Sequence, residues 1–142
     1  MTKLEALYDM AYTKGIHIHD WSLGSSKKAF AMRMPGTDTI ALDRLRIESS
    51  YEESILVAEE LGHYETDNLY HLVAGFNTPL ARTNRIKGEA KARQWAIEHL
   101  LSLDEIHKAL EHGCKDINEI AEFCQVTPEF LLHAVEYYCS TD

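Results

Sequence analysis

The stretch that decides how this chain is read is Leu56-Val57-Ala58-Glu59-Glu60-Leu61-Gly62-His63-Tyr64. Ser50 with Glu53 three residues on forms a capping box, which predicts a helix opening there and running to about Tyr64. On that helix Glu59 and His63 are four apart and project from one face, a turn from each other. Two ligands of a single ion need that spacing. Glu60 stands about a hundred degrees round the helix, where its carboxylate can serve a water beside the ion rather than the ion itself. In zinc hydrolysis the metal makes a water more acidic and a nearby carboxylate takes its proton. A blander pattern fits the same residues: Glu52, Glu53, Glu59, Glu60 and His63 form one polar wedge with only Leu56 among them, as a solvent-facing stripe would.

Two features outside the pair favour a site. Gly62 lies inside the helix, where it costs about 1 kcal/mol relative to alanine, so a second backbone is expected close by. Downstream, Glu89-Ala90-Lys91-Ala92-Arg93-Gln94-Trp95-Ala96 puts Glu89 on one stripe with Ala92 and Ala96. A carboxylate followed by small residues suits a helix packed tightly beside another, with Glu89 aimed at their shared end.

Working outward, Leu4, Leu7, Tyr8, Ala11 and Tyr12 recur at helical spacing over residues 3–14, and Gly15 stands where a C′ glycine ends a helix. Ile16-His17-Ile18-His19 alternates strictly and reads as a half-buried strand. Ala29–Met34 and Thr39–Leu42 flank Pro35-Gly36, the central pair of a type II turn, so they form a hairpin. After the helix at Ser50 comes a loop of roughly twenty residues containing Gly75, Asn77 and Pro79. Helices are then expected over 86–102, 103–112, 116–124 and 128–138. Asp116 with Glu119 makes a second capping box, and Thr127-Pro128 gives an N-cap followed by proline at N1. The fold class is α+β, with a short three-stranded antiparallel or mixed sheet. The chain divides into a core over 1–102 and a helical part over 103–142 packed on it.

With 142 residues the chain can bury one core without staples. Its 45% apolar and 26% charged residues are ordinary for a globular protein. No apolar run is long enough to span a bilayer, the N-terminus lacks the apolar segment of a signal peptide, and three scattered cysteines suit a reducing compartment. A cytoplasmic protein is expected, with Cys114, Cys124 and Cys139 as structural thiols. The net charge of −9 opposes nucleic-acid phosphates. Basic residues thicken only at Arg82, Arg85, Lys87, Lys91 and Arg93.

With these residues in view, the chain resembles the ImmA/IrrE family of metallopeptidases of bacterial and phage regulatory loci. That family carries a helix of the form x-L-A-H-E-L-G-H-x, matched by residues 56–64, and a second of the form E-x-x-A-N-x-F-A-x-x-L-L, matched from Glu89 through Leu101. The order of elements agrees along essentially the whole chain. The resemblance implies a zincin-like fold of the small gluzincin type. It makes His63 and Glu89 ligands of Zn2+ or another divalent cation, and Glu60 the catalytic glutamate. Glu59 is the departure, standing where the family has its first histidine. Glutamate can ligate zinc, but two carboxylates and one imidazole form a harder, more anionic set and a weaker Lewis acid. The implied partner is a protein substrate, a helix-turn-helix repressor of phage type that the protein cleaves or otherwise disables, with no direct nucleic-acid contact and no membrane.

Rival readings are weaker. His17 and His19 share a strand face and could hold a metal, although nothing is placed to complete such a site, and a polar outer face explains them. His71, in the long loop, could approach the metal or a substrate. Residues 116–138 resemble a helix-turn-helix, yet from Leu103 to Asp142 there are two lysines, no arginines and nine acidic residues. Groove docking needs phosphate contacts, so a DNA-binding role is disfavoured, and Leu131, Leu132, Ala134, Val135 and Tyr138 are expected to pack inward. The reading taken is a metal-dependent peptidase that inactivates a repressor. The alternative is a catalytically inactive member of the same fold that acts as a protein-binding module.

Overall fold

A computed structural model describes residues 1–24, 26–66 and 79–140, with the backbone alone for Met34 and residues 79–85. Its elements are α1 (Lys3–Thr13), β1 (Ile16–Asp20), β2 (Ala29–Met34), β3 (Thr37–Leu42), a 3-10 turn at Arg44–Arg46, α2 (Ser50–Glu65), α3 (Pro79–Leu100), α4 (Leu103–Glu111), α5 (Ile117–Cys124) and α6 (Pro128–Ser140). Contacts divide the chain into two compact units, Met1–Ala96 and Ile97–Asp142. The α+β class and the zincin-like order of elements hold. Gly75, Asn77 and His71 of the expected long loop lie outside the described residues.

In the first unit Thr2 caps α1 by accepting the Glu5 amide at 3.1 Å, and Gly15 at φ 73° follows the helix as a C′ residue does. Leu7 and Ala11 are buried; Tyr12, expected on the same apolar stripe, is exposed. The sheet is mixed, ordered β1-β3-β2: β1 runs parallel to β3, and β2 antiparallel to it across the Pro35-Gly36 turn, where Gly36 takes φ 79°. The central strand is flanked on both edges and is buried at Thr39, Ile40, Ala41 and Leu42. The edge strand β1 keeps the expected alternation, with Ile16 buried and both histidines exposed.

Two helix starts differ from expectation. The cap of α2 is Ser49, one residue before the predicted position; its hydroxyl accepts the Glu52 amide, while the Glu52 carboxylate accepts the amide of Glu48. Either serine has a glutamate three residues on, so the sequence does not separate them. α3 opens at Pro79 rather than 86 and ends at Leu100, which makes proline its first residue, where a missing N–H costs nothing.

In the second unit Ser102 and Glu105 form a capping box at α4. Asp116 caps α5, but Glu119 reaches back to the Lys115 amide rather than to Asp116, so that box is incomplete. Thr127 accepts the Phe130 amide at the start of α6. Leu131 and Ala134 are buried as expected, whereas Leu132 and Val135 are exposed: they share a helix with the core residues but not its inner face. All three cysteines are free thiols; Cys124 is buried and Cys139 exposed.

Asp43, just past β3, ties the chain ahead of β2 to the sheet. Its Oδ2 accepts the Leu23 amide at 3.2 Å and Arg46 Nε at 2.8 Å, and Arg46 also donates to the Lys27 carbonyl. The Leu23 amide, with the Arg46 guanidinium beside it, holds this buried carboxyl below its ordinary value of 3.8. A lowered folded-state pKa means that the stabilisation is present above the unfolded value and disappears as pH falls through the folded one. Asp43→Asn is therefore expected to lower the melting midpoint at neutral pH, with the gap to wild type closing below about pH 4. Circular-dichroism melts across pH read this directly, and a gap unchanged in acid would refute it.

Candidate metal centre

Helix α2 is anchored by Val57, Ala58 and Leu61, each fully buried, which fixes the direction in which its polar residues point. Its last turn is tied to the sheet by Tyr64. The phenol accepts the Thr39 amide at 2.9 Å and donates toward the Met32 carbonyl, and burial pushes its pKa up to about 12. Helix α3 meets α2 at Gly62: a Cβ built there would stand 2.6 Å from the Ala92 carbonyl oxygen and 3.0 Å from its Cα. Ala92 and Ala96 are fully buried. Glu89, one turn before Ala92, is thereby delivered beside His63.

The imidazole is 1% exposed, and its Nε2 faces Glu89 Oε2 at 3.4 Å. The other Glu89 oxygen accepts Lys27 Nζ at 3.2 Å. Burial works against the charge on Glu89, but the His63 imidazole and the Lys27 ammonium outweigh it and hold the carboxyl below its ordinary value. Glu60 is 7% exposed, and among the described residues no donor bonds to its Oε2. Burial raises its carboxyl to about 7. Glu59 is the most open of the α2 trio; burial raises its carboxyl as well, and its Oε2 lies 3.7 Å from Arg93 Nε.

A solvent-facing stripe is thus excluded for Glu60 and His63, which point inward. The residues singled out from sequence separate into a close pair, His63 with Glu89, a buried carboxyl one turn away at Glu60, and Glu59, which is turned to an arginine. Among the described residues no group of three or more histidine, cysteine, aspartate or glutamate side chains stands ready as a metal cluster. The donors nonetheless suit a divalent cation: an inward imidazole nitrogen faces a carboxylate oxygen, and a buried carboxyl oxygen has no donor among the described residues. Glu59 would join them on leaving Arg93. Lys27 and Arg93, which no motif in the sequence marks, complete the site's charges.

The rival histidines do not form a centre. His17 and His19 stack on the exposed face of β1 with ring centroids 6.0 Å apart, and His19 stacks on Trp21 at 6.4 Å.

His63 on α2 and Glu89 on α3 thus lie side by side, with the buried Glu60 one turn from His63. The family described as the IrrE N-terminal-like domain, peptidase M78, matches residues 11–136, and the chain belongs to this ImmA/IrrE family of zinc metallopeptidases. No curated protein and no solved structure matches the chain. Among the described residues no helix is long and apolar enough to cross a membrane.

The Gly62 contact gives a prediction with an unusual sign. In an open helix Gly→Ala stabilises by about 1 kcal/mol. Here the added methyl would meet backbone, which cannot swing aside, so Gly62→Ala is expected to destabilise by roughly 2 kcal/mol. Urea titration of the variant measures it; a stabilised protein would rule out the close approach.

Proposed function

We propose that this chain is a metal-dependent peptidase whose substrate is a protein, and that the protein is a helix-turn-helix repressor whose loss switches a phage or mobile-element locus. The observation that carries the chemistry is the convergence of His63, Glu89 and the buried Glu60 around one turn of α2. His63 and Glu89, joined by Glu59, would hold the ion. A divalent cation there supplies Lewis acidity toward water and toward a peptide carbonyl.

The remaining work falls to the chain itself. Glu60, ionised, takes a proton from the attacking water at Oε2, an oxygen to which no described residue donates. The water oxygen adds to the carbonyl carbon, the C–N bond breaks, and Glu60 returns the proton to the departing amine nitrogen. Its own burial, at 7% exposure, keeps bulk water from competing for that carboxylate. The repressor as substrate is supported by the family resemblance and by the acidic chain, which favours a protein over nucleic acid as the direct partner.

One observation favours a second reading, a non-catalytic member that binds its partner without cutting: Glu59 is paired with Arg93. Metal content and cleavage separate the two. Protein prepared without chelator is expected to carry one ion per chain, lost in His63→Ala, and Glu60→Gln is expected to keep the ion while cutting at least about a hundredfold more slowly. Cleavage that survives Glu60→Gln would remove the role given to Glu60. A metal-free wild type that still binds its repressor would establish the non-catalytic reading.

A further inference from the structure

We infer that Arg93 is a built-in competitor of the metal ion, a cation of the chain itself that occupies Glu59 and must be displaced before the third ligand can close on a divalent cation; this rests on the metal-dependent reading above. Arg93 follows Glu89 by one turn on α3, so both face α2. Arg93 forms its ion pair across the helices with Glu59, Nε 3.7 Å from Oε2, while the two Glu89 oxygens face other partners, Oε2 His63 and Oε1 Lys27. The two outer carboxylates therefore each have a positive side chain from the chain: Lys27 for Glu89 and Arg93 for Glu59. The Arg93 side chain is 42% exposed against 20% for Glu59, so the guanidinium stands on the open side of the pair and can leave toward water.

The consequence is a graded cation affinity. A guanidinium stays protonated at every accessible pH, so protons cannot remove this competitor; only another cation can. A divalent ion arriving at His63 and Glu89 gains Glu59 as Arg93 swings out, and loses it as Arg93 returns. Arg93 thereby sets the free-metal concentration at which the site fills.

The test is competition of Zn2+ against a chromogenic chelator at fixed pH and salt, on the full chain, with the melting curve of each variant as a folding control. Arg93→Ala is expected to bind Zn2+ about fivefold more tightly than wild type, the effect of freeing Glu59 from a partly exposed ion pair. Arg93→Lys should stay near wild type. In a Glu59→Gln background the Arg93→Ala gain should vanish, since the two residues act as one pair. If Arg93→Ala leaves a glutamate too strained for the chain to fold, Arg93→Gln replaces it in the same measurement. Wild-type binding that depends on His63 but is unchanged or weakened by loss of Arg93 overturns the inference alone. Absence of binding in wild type and variant alike overturns the proposed function, and the inference with it.

Discussion

The candidate site exists because two helix backbones touch. Gly62 has no side chain, and Ala92 sits against it at a distance that any Cβ would violate. Close packing of this kind fixes both the separation and the axial register of a helix pair, because small residues leave no slack for sliding. Register is what the chemistry needs. With Ala92 opposite Gly62, Glu89 falls one turn away on the side of His63, and its carboxylate reaches the imidazole. Tyr64 supplies the second constraint, holding the same turn of α2 to the paired residues Met32 and Thr39 of the sheet. The helix turn that carries His63 is thus clamped from two directions, by a backbone contact and by a phenol.

Within that clamp the difficulty is charge. Three glutamates near one imidazole cannot all be ionised and buried without compensation. The structure resolves this differently at each position. Glu60, the most enclosed, is driven toward its neutral form by burial. Glu89 stays ionised because His63 and Lys27 oppose the burial cost. Glu59 keeps partial access to water and lies against Arg93. Arg46, paired with Asp43, donates to the Lys27 carbonyl, so that ion pair also holds the residue whose ammonium meets Glu89.

Most of the fold was legible because its signals are local. Period-2 alternation at Ile16–His19, the Pro35-Gly36 turn and the caps at Thr127 and Asp116 each act over a few residues. What was not legible depended on partners far away in sequence. The parallel pairing of β1 with β3 follows from how the strands assemble rather than from any single strand. The early start of α3 was hidden because residues 79–85 carry no apolar period, although Pro79 is itself a first-turn residue. Leu132 and Val135 look like core by spacing but lie on the outer face of α6. At the site, Glu59, Glu60, His63 and Glu89 could be found from helix geometry and from the family pattern. Lys27, 62 residues from the carboxylate it meets, left no trace in the sequence. Arg93 was visible as one turn beyond Glu89, but the one-turn rule pairs it with the wrong glutamate.

Glu59 and Arg93 are best understood as two halves of one charge balance. A neutral histidine at position 59 would bring no charge of its own, and an arginine beside it would have nothing to neutralise and would only repel an incoming ion. Glutamate reverses that logic. It adds a negative charge to a pocket that already holds Glu89, and Arg93 stands beside it. In the structure Lys27 and Arg93 each bring one positive charge, to Glu89 and to Glu59. On the proposed reading a divalent cation would take the place of Arg93 at Glu59. That exchange would leave the helix pair, fixed by Gly62 and Ala92, where it stands.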